Sequence, residues 1–134
     1  MSAVQLTALS KFVRWAGFYN LALALGMAVP MVPVALGINI VDPVLGQMIA
    51  GFLAFTAVIQ IVAARDLHTY GWAVFWEGAL RWVAASLLIP HGFFGHLGLT
   101  AGLLGIVDFL VGSVFLLILP RVIAKSRSEL IAGR

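Results

Sequence analysis

Trp72-Ala-Val-Phe-Trp-Glu77-Gly-Ala-Leu-Arg81-Trp-Val-Ala-Ala-Ser-Leu-Leu-Ile89 is a helix-length apolar run interrupted by one acid and one base four positions apart. A hydrocarbon core about 30 Å thick is crossed by roughly 17–25 such residues in helical form. A soluble helix of this length would carry a charged outer face. Here Glu77 and Arg81 stand alone, on a face that continues through Ala84, Ala85 and Leu88. A charge at bilayer depth costs roughly 2.5–3.5 kcal/mol on insertion scales, so each needs a partner or a watered cavity. The run reads as a membrane span with a polar spot turned inward.

The whole chain agrees with that reading. Of 134 residues, 63% are hydrophobic and 10% charged, with a mean hydropathy of +1.10. Soluble domains average about 45–50% apolar and about 25% charged residues. The length suits one membrane domain and leaves no room for a separate soluble catalytic domain. There is no cysteine, which excludes disulfides, thiolate metal sites and cysteine nucleophiles. The net charge of +3 sits mostly at span ends, where it orients helices and meets anionic lipid, so no nucleic-acid partner is expected.

Three further apolar runs flank the first. Residues 13–36 are too long for a signal-peptide core and read as a retained span, with Pro30 and Pro33 loosening its end. Residues 44–64 form the second span, residues 72–89 the third, stopping at Pro90, and residues 99–119 the fourth, ending at Pro120. The expected fold class is all-α and integral to the membrane, a four-transmembrane-helix bundle over residues 1–134. Residues 2–12, with Val4, Leu6, Leu9 and Phe12, read either as an interfacial helix or as a frayed terminus. Residues 121–134 read as a short basic cytoplasmic tail.

Lysine and arginine give the expected orientation. Lys11 and Arg14 precede the first span, Arg65 lies between the second and third, and Arg121, Lys125, Arg127 and Arg134 follow the fourth. The two remaining loops have neither residue, so the positive-inside rule puts both termini in the cytoplasm. Trp15, Tyr70 and Trp72 then mark the cytoplasmic interface.

Each span has one polar or small-residue face. Asp108 shares its face with Ala101, Gly105 and Gly112; Asn20 stands between Ala16 and Ala24; Thr56 and Gln60 accompany Ala57 and Ala64. At ~1.5 Å per residue, these polar positions fall ~6–18 Å from the cytoplasmic span ends, within reach of the long Arg81 side chain. The expectation is an intramembrane cluster of Glu77, Arg81 and Asp108, with Asn20, Gln60 and Thr56 beside it. Two carboxylates and one guanidinium leave one negative charge in excess, and Asp108, the deeper acid, is the group to carry a proton.

Other polar residues carry less. His91 and His96 are five apart, off a common helical face and without a carboxylate or cysteine nearby, so they read as turn residues and no metal is expected. His68, His91 and His96 lie in no haem-attachment motif, and no cofactor is expected. Trp76 and Trp82 flank the Glu77 face and read as packing or lipid-facing residues. No phosphate-binding loop, dinucleotide fingerprint or nucleophile triad is present, and no catalytic residue is assigned.

Arg14-Trp-Ala-Gly-Phe-Tyr-Asn20 opening the first span, Ala64-Arg-Asp66 closing the second and Glu77-Gly-Ala-Leu-Arg81 in the third together resemble small bacterial inner-membrane proteins of unassigned function. The resemblance covers most of the chain. It implies four helices in a bacterial inner membrane and no activity.

Three functions are compatible with these residues. The first, and the main expectation, is a non-enzymatic accessory or oligomer-forming bundle in which the cluster fixes helix pairing. The second is a proton-coupled small-solute transporter or channel, with Asp108 as proton carrier and Glu77 and Arg81 at the gate or substrate. The third is a membrane-embedded enzyme acting on a hydrophobic substrate with Glu77 and Asp108 as acid and base, for which no nucleophile accompanies the pair. The expected partners are the lipid bilayer, further copies of the chain, and, for the second reading, a small hydrophobic or protonatable ligand.

Overall fold

In the computed structural model, which describes residues 3–133, the chain is helical throughout, without strands among the described residues. Arg134, counted above in the basic tail, and Ser2 lie outside the described residues. Four long helical segments run α1 (Ala3–Ala28), α3 (Pro43–Ala63), α4 (Leu67–Phe93) and α5 (Leu99–Ser113), the last continuing through a π-helical turn into α6 (Leu119–Ile123). Short helices α2 (Met31–Ala35) and α7 (Arg127–Ile131) occupy the first loop and the tail. Three segments are long and apolar enough to cross a membrane: Pro43–Ala63, Leu67–Phe93 and Leu99–Ile123. The protein is therefore a membrane protein by the length and composition of its helices. α1 is equally long, but Lys11, Arg14 and Asn20 lower its hydropathy.

The helix ends differ from the sequence expectation, for local reasons. α1 begins at Ala3 and runs unbroken into the first apolar run, because Leu9 and Val13 pack into the core beside Ala16. It ends at Ala28, two residues before Pro30, and the chain restarts as α2 around Pro33. α4 starts five residues earlier than the apolar run, at Leu67. Asp66 caps it, its carboxylate accepting from the backbone N–H groups of His68 and Thr69 at 3.1 and 3.2 Å and from the Thr69 hydroxyl at 2.6 Å. The Thr69 bonds hold the Asp66 carboxyl below the ordinary carboxylate range.

Neither expected proline stop ends its helix. Pro90 lies inside α4, which continues to Phe93. Pro120 lies inside α6, and the chain upstream widens into a π turn over Val114–Ile118, with the Leu119 N–H bonding the Val114 carbonyl. Proline lacks an N–H and crowds the carbonyl one turn back, and a wider turn relieves that conflict. The π turn also aims Phe115 fully into the core.

The long helices pair as two hairpins, α1 with α3 and α4 with α5. At the end holding the N-terminus of α1, the hairpins share an apolar core of Leu9, Val13, Leu67, Val74, Phe115, Leu119 and Leu130, with Phe12 edge-on to Phe115 at 6.0 Å. At the opposite end the loops are stitched together. Asn39 donates its side-chain amide to the His96 carbonyl at 2.8 Å and its backbone N–H to Leu97 at 3.0 Å, and Thr100 donates to Leu36 at 2.5 Å. Gly98, which opens α5, adopts φ +94° with the Gly37 carbonyl against it, a conformation and a clearance that suit only glycine. Between these two ends, the α3–α4 contact is sparse compared with the pairing inside each hairpin. That middle zone contains the polar residues.

Candidate functional site

Arg81 is the hub. α4 carries it on its inward face, and the residue is buried despite its length and charge. Each of its nitrogens donates to a different partner. Nε reaches Glu77 Oε1 at 2.8 Å, one turn earlier on α4. Nη1 reaches Asp108 Oδ1 on α5 at 2.5 Å, and Nη2 reaches Asn20 Oδ1 on α1 at 2.8 Å. The planar fork of guanidinium matches such divergent acceptors, which an ammonium could not do with one nitrogen.

Asn20 closes the ring. Its amide nitrogen donates to Thr56 Oγ1 at 3.1 Å and lies 3.5 Å from Glu77 Oε1. The Thr56 hydroxyl in turn donates a hydrogen bond to the Leu53 carbonyl at 3.1 Å. The network therefore links all four long helices. Five of the six residues singled out from the sequence, Asn20, Thr56, Glu77, Arg81 and Asp108, stand in one hydrogen-bonded cluster.

Gln60, the sixth, is brought alongside Glu77. It is completely buried, and its amide lies near enough to the Glu77 carboxyl to act on it as a hydrogen-bonding neighbour. Even so, neither Gln60 Nε2 nor Oε1 meets hydrogen-bond geometry, and Glu77 Oε2 is likewise without a partner. A buried polar atom left unpaired costs on the order of 1–3 kcal/mol, and these three lie together.

Small residues make the approach of the helices feasible. Gly17 on α1 faces Ala57 and Gln60 on α3, and Gly78 on α4 faces Phe115 and the Gly112 carbonyl on α5. Ala101, Gly105 and Gly112, on the Asp108 face, are buried. Asp108 itself is less enclosed than its partners, with its side chain 20% exposed against 4% for Arg81.

One neighbour was not legible in the sequence. Tyr19 lies close enough for its phenol to feel both Asp108 and Arg81. Two weaker signals resolve as well. Trp82 stacks on Phe109 at 5.6 Å and donates Nε1–H to the Ser113 hydroxyl at 3.2 Å, so it packs against α5. The turn folds His91 and His96 back to 6.4 Å between ring centroids, despite their spacing. Among the described residues, no three His, Cys, Asp or Glu side chains gather into a metal-binding group.

No family model, no curated protein and no solved structure matches this chain. The cluster has a fixed guanidinium, two acids of unequal enclosure, an amide and a hydroxyl that relay hydrogen bonds, and no side chain set up as a nucleophile by a neighbouring base.

Proposed function

We propose that the chain is a four-span bundle of a bacterial inner membrane, with both termini cytoplasmic, acting as a non-enzymatic accessory or oligomer-forming subunit. In this reading the polar cluster is a clasp between hairpins. The supporting observation is Arg81, whose three nitrogens donate to α4, α5 and α1 at once. Sparse direct packing between α3 and α4 leaves a joining role for such a network to fill. In hydrocarbon, where the alternative to a partner is an unsolvated charge, the pairing also fixes which helix faces inward.

α1 is the fourth span in this reading. Its buried stripe of Val13, Ala16, Gly17, Asn20 and Ala24 lies along α3, and its charges Lys11 and Arg14 fall in the half nearer the N-terminus. Arg65, Lys125 and Arg127 lie at the same end of the bundle, as the positive-inside rule requires for cytoplasmic termini. The absence of cysteine makes this directly testable with single cysteines. Cysteine at Val41 or Phe94, both about nine-tenths exposed, should react with a membrane-impermeant maleimide added to intact cells. Cysteine at Arg65 or Arg127 should react only after the membrane is opened. Labelling of Arg65→Cys in intact cells overturns the orientation.

The clasp itself is tested by removing both sides of an ion pair together. Arg81→Met with Asp108→Leu and Glu77→Leu should keep the helical content and assembly mass of the parent in mild detergent, since a buried ionic network is often replaceable by apolar side chains of similar volume. If the triple variant folds and assembles but its cellular role is lost, the charges act in chemistry or transport, and the clasp reading fails.

A further inference from the structure

The loops at the end opposite the N-terminus of α1 bring together two groups that sequence spacing holds apart. His91, in the last turn of α4, and His96, in the turn before α5, have ring centroids 6.4 Å apart at an interplanar angle of 62°. Both residues are exposed. Among the described residues, neither ring makes a hydrogen bond to the protein, so imidazole nitrogens on both are free to take a ligand.

The backbone fixes this juxtaposition. The Leu97 N–H bonds the His91 carbonyl at 3.1 Å and closes the turn around both residues. Gly95 lies so near the last turn of α4 that a Cβ on it would meet the His91 carbonyl oxygen at 2.8 Å and the His91 Cα at 2.9 Å. A side chain there would force the turn open. From the other hairpin, the Asn39 amide holds the His96 carbonyl at 2.8 Å. The backbone on both sides of the pair is thus set before a ligand arrives, which lowers the ordering cost of binding one.

The chemistry selects the ligand. Imidazole nitrogens suit zinc, copper and nickel, whereas magnesium and calcium take oxygen. Zn–N bonds of ~2.0–2.1 Å to one nitrogen of each ring, at a tetrahedral angle, set ring centres ~5 Å apart. The observed pair is wider by about 1 Å, which exposed rings close by turning about their terminal torsions. The charges at this end also admit a cation. Residues 29–42, between α1 and α3, and residues 94–98, between α4 and α5, include no lysine or arginine and one carboxylate, Asp42. An anion would need both rings protonated side by side, with no other base to help.

We infer that His91 and His96 form a two-imidazole site for a late transition-metal ion such as Zn²⁺, with water in the remaining positions. Residues five apart do not share a helical face, which is why the sequence suggests no metal here. The turn removes that objection by folding His96 back toward the end of α4. An ion so held stays exchangeable, and it ties the end of α4 to the approach to α5. The site shares no residue with the Arg81 cluster and does not rest on the clasp reading.

The test is calorimetric titration of ZnCl₂, with MgCl₂ as control, into the full untagged chain in maltoside micelles. Zn²⁺ should bind at one ion per chain and Mg²⁺ not measurably. His91→Ala and His96→Ala should each weaken Zn²⁺ roughly tenfold or more, since a lone imidazole loses the effective concentration of its neighbour. His68→Ala, in the first turn of α4 at the opposite end, should change nothing. Because both ligand residues are exposed, neither substitution should move the unfolding midpoint without zinc. Saturating Zn²⁺ should raise that midpoint in the parent and not in His96→Ala. Absence of saturable Zn²⁺ binding overturns the proposal. Affinity that survives either histidine substitution, or that falls in His68→Ala, places the ion elsewhere and overturns it as well. One ion per two chains overturns it too, since the two histidines then come from different copies.

Discussion

Replacing Arg81 alone by methionine should destabilise the folded bundle by about 3–5 kcal/mol, the range found when one partner of a buried ion pair is removed. Methionine fills a similar volume and suits the helix, so little of the loss would come from packing or propensity. The loss comes from what is left behind. Asp108 loses its ion-pair partner, Asn20 Oδ1 loses its donor, and Glu77 Oε1 is left with the long 3.5 Å contact with Asn20 among the described residues. Reversible unfolding in mixed maltoside and dodecyl sulfate micelles, followed by far-ultraviolet circular dichroism, reads this as a shift in midpoint. Arg81→Lys should fall between the parent and Arg81→Met, because a single ammonium cannot reach acceptors on three helices. A loss under about 1 kcal/mol for Arg81→Met would mean that the pairs behave like exposed ones and clasp nothing.

The ion-pair hub was legible because the bilayer makes it conspicuous. Within an apolar run a lone acid or base has no solvated face to occupy, so Glu77, Arg81 and Asp108 could be read as mutual partners from depth and helical spacing. Asn20 and Thr56 followed from the small residues on their faces, which let backbones approach. The division of labour within the cluster was not legible. Nothing in spacing alone shows that Asn20 bonds both Arg81 and Thr56 while Gln60, equally buried, bonds neither. That depends on side-chain directions fixed by all four helices at once.

Helix ends were harder still. Proline was read as a stop at Pro90 and Pro120, yet both lie within helices, the second behind a π turn that packs Phe115 against Gly78. Tertiary packing outweighed the local rule in both places. Conversely, Asp66 extends α4 beyond the apolar run by capping it, a local signal that a search for apolar stretches passes over. The pairing of His91 with His96 needed the structure entirely, since the turn that closes it depends on Gly95 and on Asn39 from the other hairpin.

Gly92 is where the packing of the second hairpin is least forgiving. It lies in the last turn of α4, and a Cβ there would overlap the backbone nitrogen and Cα of Gly102 on α5, with the Ala101 carbonyl carbon 3.1 Å away. Backbone atoms cannot rotate aside, so the helices themselves must separate. The reverse substitution meets a softer obstacle, because the atoms nearest a Cβ on Gly102 belong to the Phe93 ring, at 2.9 Å. Gly92→Ala should therefore cost about 2–3 kcal/mol, the upper part of the overpacking range. Gly102→Ala should be close to neutral, the crowding offset by up to ~1 kcal/mol of helix propensity. Gly51, exposed on α3 with nothing within 4 Å of a Cβ, is the control, and Gly51→Ala should stabilise the fold by ~0.5–1 kcal/mol. The effect should reach the cluster as well. At Gly105, between Gly92 and Asp108 along the same seam, an added Cβ would lie 2.9 Å from Leu88 Cβ and 3.0 Å from the Ile89 nitrogen, so the helices are close there too. Helices forced apart at Gly92 draw Asp108 away from Arg81, so the Gly92→Ala penalty should shrink in an Arg81→Met/Asp108→Leu background. If Gly92→Ala unfolds at the same point as Gly51→Ala, the α4–α5 seam is not packed at backbone contact, and the geometry that holds Asp108 against Arg81 falls with it.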